Sequence, residues 1–143
     1  MADTSRPINI LFVEDNPDDA ELTLRALQRA KVQNRVWTVS DGVDALAFLR
    51  GQPPHQDAPR PDLVLLDLNL PGLDGRDVLL RIREDPELRG LAVVVLTGSD
   101  EEQEHLAALA ADAFLTKPVD LERLGWLVRI MANLGWAIVK TGG

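Results

Sequence analysis

Three runs in this chain, INILFV at residues 8–13, LVLL at 63–66 and AVVVL at 92–96, are apolar at nearly every position instead of every second one. A strand with one face in water alternates apolar and polar residues, so a strand without alternation is covered on both faces. Sheets of that kind are parallel, and their crossovers are helices packed on either side. The intervening stretches supply those helices. Residues 18–30 carry Leu22, Ala26 and Leu27 on one side. Asp41 caps a short helix reaching about Arg50, with Asp44 at the capping-box position. A third helix follows the turn at Pro71 and Gly75 as far as about Asp85. Ser99 and Glu102 form a capping box that opens a helix through Ala111, and Asp120 caps the last one. RVWTV at residues 35–39 and AFLT at 113–116 bring the strands to five. The pattern predicts an open, doubly wound α/β fold on a five-stranded parallel sheet, with GQPPHQDAPRP at 51–61 as a surface loop.

Composition narrows what such a fold does. The chain has 143 residues, enough for one core, and no repeat or linker divides it, so a single domain over 1–143 is expected. Its net charge is -8 with Lys and Arg scattered, which argues against nucleic acid and anionic membrane as partners. There is no cysteine, so disulfides, thiolate metal sites and thiol nucleophiles are excluded. The N-terminal apolar run stops at an acid, short of a signal peptide or membrane span, and a cytoplasmic location is expected. His55 and His105 lack a partner at ligand spacing. There is no Walker A sequence, and G-x-G-x-x-G is missing after the first strand.

In an open parallel sheet the ligand crevice lies beyond the carboxyl ends of the strands. Those ends here are Glu14 and Asp15, Asp67, Thr97 followed by Gly98 and Ser99, and Lys117 followed by Pro118. Each has a plain structural use when taken alone. Asp18 and Asp19 suit the first turn of a helix, Ser99 is a cap, and a lone lysine is a surface residue. Asp67 resists that explanation, because burying a carboxylate at the end of LVLL is costly without compensation. Three converging acids repel unless a divalent cation holds them ionised, and oxygen ligands favour Mg²⁺, with Mn²⁺ as a substitute. The carbonyl of Asn69 is a further candidate ligand. So compensated, Asp67 becomes a nucleophile for a phosphoryl group. Mg²⁺, the Lys117 ammonium, and Thr97 with the Gly98 N–H would then each cover one phosphoryl oxygen.

VED at residues 13–15, LLDLNLPGLDG at 65–75, LTG at 96–98 and TKP at 116–118 together resemble the receiver domain of two-component response regulators. The resemblance covers about residues 7–135 and implies a flavodoxin-like (βα)₅ fold, beyond which a C-terminal helical extension is expected. It also implies phosphoryl transfer from a histidine kinase. Asp67 is then the phosphoacceptor, Asp15 a direct metal ligand, Glu14 a second acid acting through metal-bound water, and Asn69 a carbonyl ligand. Thr97 and Lys117 take the switch and phosphate-contact roles, with Phe114 at the position of a switching aromatic. Glu14 stands where Asp is commoner, and Phe114 lacks the hydroxyl of a Tyr. VEDNPDDAEL also resembles stand-alone receivers that partner phytochrome-type histidine kinases.

Two other functions compete with the switch. One is a phosphorylation-independent interaction module. The other is a magnesium phosphohydrolase, against which Asn69 stands, because an amide is no general acid or base. Further expectations concern Lys117–Pro118 as a cis bond, and Asn69 and Ser99 as short residues that leave the path of attacking water open. Placed at about 100° per residue, residues 121–140 gather Glu122, Arg129, Asn133 and Lys140 into one polar stripe. Leu121, Leu124, Val128, Ala132 and Val139 would face the sheet. Leu127, Ile130, Leu134 and Ile138 form a second apolar face, which predicts a homodimer.

Overall fold

The computed structural model describes residues 8–29, 34–70, 72–98, 110–117, 119 and 122. Five parallel strands are present: β1 (Ile8–Val13), β2 (Asn34–Val39), β3 (Leu63–Asp67), β4 (Ala92–Thr97) and β5 (Ala113–Thr116). They are interleaved with α1 (Pro17–Gln28), α2 (Gly42–Leu49) and α3 (Gly75–Glu84). The strand order is β2-β1-β3-β4-β5, the flavodoxin-like doubly wound arrangement, so the chain reverses its direction of winding at β1 and β3.

The unbroken apolar runs are explained by two separate cores. Leu11, Val13, Val64, Leu66, Val93 and Val95 point to one face and pack with Leu46 and Phe48 of α2 and Val78, Leu79 and Ile82 of α3. The alternate residues Ile10, Phe12, Leu63, Leu65, Val94 and Leu96 point to the other face, with Ala26 and Leu27 of α1. Every residue of β3 and of β4 is buried. Side-chain alternation therefore runs between two dry faces and leaves no polar position until the strand ends.

The helix starts follow the sequence with small shifts. The Asn16 side chain caps α1 by accepting from the N–H groups of Asp18 and Asp19, and Pro17 occupies the first turn. Asp41 caps α2, accepting from the Asp44 N–H at 2.7 Å. The Asp44 carboxylate is engaged by His55 Nε2 at 2.6 Å, and the His55 ring tilts against Phe48. His55 thus ties the 51–61 loop to α2. The Pro53–Pro54 bond in that loop is cis.

Two sequence expectations are corrected. Leu22 is 50% exposed, and Thr23 takes its place beside Ala26 and Leu27 on the buried side of α1. At about 100° per residue Leu22 lies about 140° from Leu27, at the edge of the stripe centred on Thr23, Ala26 and Leu27, and so faces solvent. Ala110 and Ala111 lie outside any helix. The Ala110 carbonyl accepts from Arg83 Nε at 2.6 Å, and the Asp112 N–H already bonds to the Val93 carbonyl, so the chain has turned toward β5 by that point. The helix expected at Ser99, the Lys117–Pro118 bond and His105 lie outside the described residues, as does the helix expected after Asp120 with its 121–140 face, apart from Glu122, which is helical and exposed.

Candidate functional site: an acidic cluster at the strand ends

The site is assembled by parallel strands that stop at the same level. In the register, Val13 lies opposite Leu66, Asp67 opposite Leu96, and Thr97 opposite Thr116. The residues following each strand therefore emerge side by side. Glu14 leaves β1 with its N–H bonded to the Val39 carbonyl at 3.0 Å. Lys117 leaves β5 with its N–H bonded to the Thr97 carbonyl at 2.8 Å. Asp67 closes β3, and the Leu68 N–H bonds to the Leu96 carbonyl.

Tight packing behind Asp67 restricts its backbone. Gly75, the first residue of α3, lies so close to the strand that a Cβ there would collide with the Asp67 carbonyl oxygen and the Leu68 Cα. Its N–H donates to the Leu68 carbonyl at 3.0 Å. Glycine is required at this position by close approach, not by backbone conformation. Gly72 in the same connection has φ +68, a left-handed value that favours glycine.

Carboxylate oxygens of Glu14, Asp15 and Asp67 lie within 4.8 Å of one another. Glu14 and Asp67 are 2% and 1% exposed, whereas Asp15 faces solvent. The Asp67 carboxylate is oriented from two sides, by the Asn69 N–H at 3.2 Å and Lys117 Nζ at 3.4 Å, both to Oδ1. Lys117 also reaches Glu14 Oε1 at 3.3 Å and Asp19 Oδ2 at 3.1 Å.

Burial pushes the Glu14 carboxyl up to about 7, and its hydrogen bond with Asp67 and the Asp67 charge push the same way, against the opposing pull of Lys117 and the Asn16 N–H. One cation does not neutralise this cluster. Burial acts to lower the Lys117 pKa. The hydrogen bond that Lys117 donates to Asp19 and the charges of Asp67 and Glu14 overcome it, holding the ammonium above the ordinary lysine value.

Glu14, Asp15, Asp67, Asn69 and Lys117 are thus brought together. Thr97 and Gly98 close the neighbouring strand, the first fully buried and the second exposed. Phe114 is not at the cluster. It lies within β5 opposite Val95 of β4 and packs, partly buried, against the core on the α2 and α3 side. Asp19 is the residue that sequence reasoning assigned elsewhere: it does lie in the first turn of α1, and it also holds Lys117. A helix beginning two residues after Asp15 carries its first turn back over the strand end, and that was the available signal. An open groove extends from Glu14 and Asp15 along Ala20 and Leu24 of α1 to Thr38 and Ser40.

Comparison with known proteins places this geometry in a family. The model of the response regulator receiver domain matches residues 10–129. Response regulator Rcp1 of Synechocystis sp. is 40% identical over 132 residues, covering 90% of each chain. The Mn²⁺-bound form of Rcp1 superposes with TM-score 0.74 at 37% identity, covering 96% of this chain and 100% of that one. The bacteriophytochrome response regulator AtBRR gives TM-score 0.85 at 38% identity, covering 94% of this chain and 98% of its own. The phosphorylated cyanobacterial phytochrome response regulator RcpA gives 0.75 at 40% identity, covering 90% and 94%. Five parallel strands in flavodoxin-like order, acids closing β1 and β3, a lysine closing β5 and these likenesses agree: the chain belongs to the response regulator receiver domain family.

Proposed function

We propose that this chain works as a phosphoacceptor switch in two-component signalling, with Asp67 receiving the phosphoryl group of a histidine kinase. The observation that carries this reading is a buried carboxylate surrounded by two further acids and one lysine at the mouth of a parallel sheet. The donor set suits a hard divalent cation: it contains oxygens only, is clustered within 4.8 Å, and leaves Glu14 driven toward its neutral form by burial and by its neighbour Asp67. Glu14, Asp15, Asp67 and the Asn69 carbonyl would hold Mg²⁺ or Mn²⁺. Such an ion, when bound, neutralises the carboxylates and draws charge from the phosphoryl oxygens.

The remaining chemistry belongs to the chain. The Asn69 N–H and Lys117 fix the rotation of the Asp67 carboxylate, so a free lone pair is presented at a constant angle. An Asp67 oxygen attacks phosphorus, the O–P bond forms as the P–N bond to the kinase imidazole breaks, and the leaving imidazole takes up a proton. Lys117 accompanies the charge on the transferred oxygens, with the Thr97 hydroxyl and Gly98 N–H on another. Thr97 and Phe114 then carry the change to the β4 and β5 side of the molecule. Asn69 supplies no general acid or base, which favours a stoichiometric switch over turnover of small phosphate esters.

Relatives described as phytochrome response regulators support a phytochrome-type histidine kinase as the donor. The two apolar faces in the sequence of residues 121–140 support a homodimer. Asp67→Asn is expected to abolish Mg²⁺-dependent phosphorylation by acetyl phosphate and by the cognate kinase, and labelling at wild-type stoichiometry would overturn the reading. Sedimentation tests the dimer: the wild type should run as a dimer at tens of micromolar, and Ile130→Glu with Leu134→Glu as a monomer.

A further inference from the structure

We propose that Asp19 is a positioning residue that keeps the Lys117 ammonium aimed at the phosphorylation site once a metal ion has claimed the other acids. The inference rests on the phosphoacceptor reading of Asp67. Lys117 Nζ has three hydrogens and three carboxylate neighbours, Asp19 Oδ2 at 3.1 Å, Glu14 Oε1 at 3.3 Å and Asp67 Oδ1 at 3.4 Å. Glu14 and Asp67 belong to the cluster that suits a cation, and Asp67 also changes character on accepting a phosphoryl group. Asp19 does neither. It is the nearest of the three.

Asp19 is also well placed to act as a fixed point. Its own N–H is held by the capping Asn16 side chain at 3.2 Å, in the first turn of a helix whose Thr23, Ala26 and Leu27 are buried against the sheet. Lys117 sits on the other side of the crevice, with its backbone fixed to Thr97. Asp19 and Lys117 are 98 residues apart, so their contact ties α1 to the end of β5. One N–H of a tethered ammonium stays on Asp19, while those released by Glu14 and Asp67 become available to a phosphoryl oxygen.

The test is a double-mutant cycle read by the rate of labelling from acetyl phosphate in saturating Mg²⁺. Asp19→Ala should slow labelling roughly tenfold, less than the ~10²–10³-fold cost of deleting an oxyanion donor itself. Asp19→Asn, which keeps an acceptor oxygen, should recover part of the loss. In a Lys117→Ala background, Asp19→Ala should change the rate less than about twofold, because the partner through which it acts is gone. Labelling by Asp19→Ala at the wild-type rate, or an undiminished loss in the Lys117→Ala background, overturns the proposal. If the wild type takes no label, the phosphoacceptor reading is what fails. ¹⁵N NMR of the Lys117 ammonium in the Mg²⁺-loaded protein then decides the tether by itself: an ordered signal lost in Asp19→Ala supports it, and an unchanged signal refutes it.

Discussion

Asp67 and Glu14 are two nearly inaccessible carboxyl groups that share one lysine, and that arrangement makes the site respond to pH. Glu14 has an ordinary value of 4.5 when unfolded and about 7 when folded, so the folded state prefers its protonated form. Its stabilising contribution is complete below about 4.5 and is lost as pH rises through about 7. Urea denaturation in EDTA should therefore show a stability falling between those limits, the reverse of ordinary acid denaturation. Mg²⁺ should remove the fall, because the cation replaces the proton. Mg²⁺ affinity measured by calorimetry should weaken as pH drops below 7, by up to about tenfold per unit for one displaced proton. An affinity independent of pH between 5 and 8 would place the buried proton elsewhere.

At the scale of elements, the connection between β3 and α3 matters most to the site. The helix begins against the backbone of Asp67 and Leu68, and Gly75 leaves no room for a side chain. Gly75→Ala should destabilise the protein by ~1–3 kcal/mol through forced displacement of α3. It should also weaken Mg²⁺ binding, since the displaced backbone carries Asp67. Unchanged metal affinity in a folded Gly75→Ala protein would show that the strand end moves independently of the helix. The opposite end of α3 is anchored as well. Arg83 donates to the carbonyls of Arg89, Leu91 and Ala110 and pairs with Asp112 at 3.0 Å, gathering the entries to β4 and β5. Nothing in the pattern LRIRE foretold that role, because the carbonyls Arg83 reaches belong to loops whose path only the tertiary structure defines.

At the scale of the whole molecule, the fold was legible because burial on both faces of a parallel sheet removes alternation, a signature spread over three strands. The acids were legible because a polar residue ending such a run has no structural use that avoids desolvation. Leu22 was misplaced because one residue of helical phase decides whether it faces the core or the solvent. Asp19 was read only as a helix-terminal acid, since its partner lies across the sheet and one side chain can favour the helix dipole and bind Lys117 together. The switch as a whole depends on chemistry at one oxygen. Its most direct test is to phosphorylate the protein with acetyl phosphate, reduce the acyl phosphate with borohydride and map the product by mass spectrometry, with Mg²⁺ and again with EDTA. Homoserine in place of aspartate at position 67, formed only with Mg²⁺, is the result predicted. Modification mapped to another residue, or equal modification of Asp67 in EDTA, would contradict it.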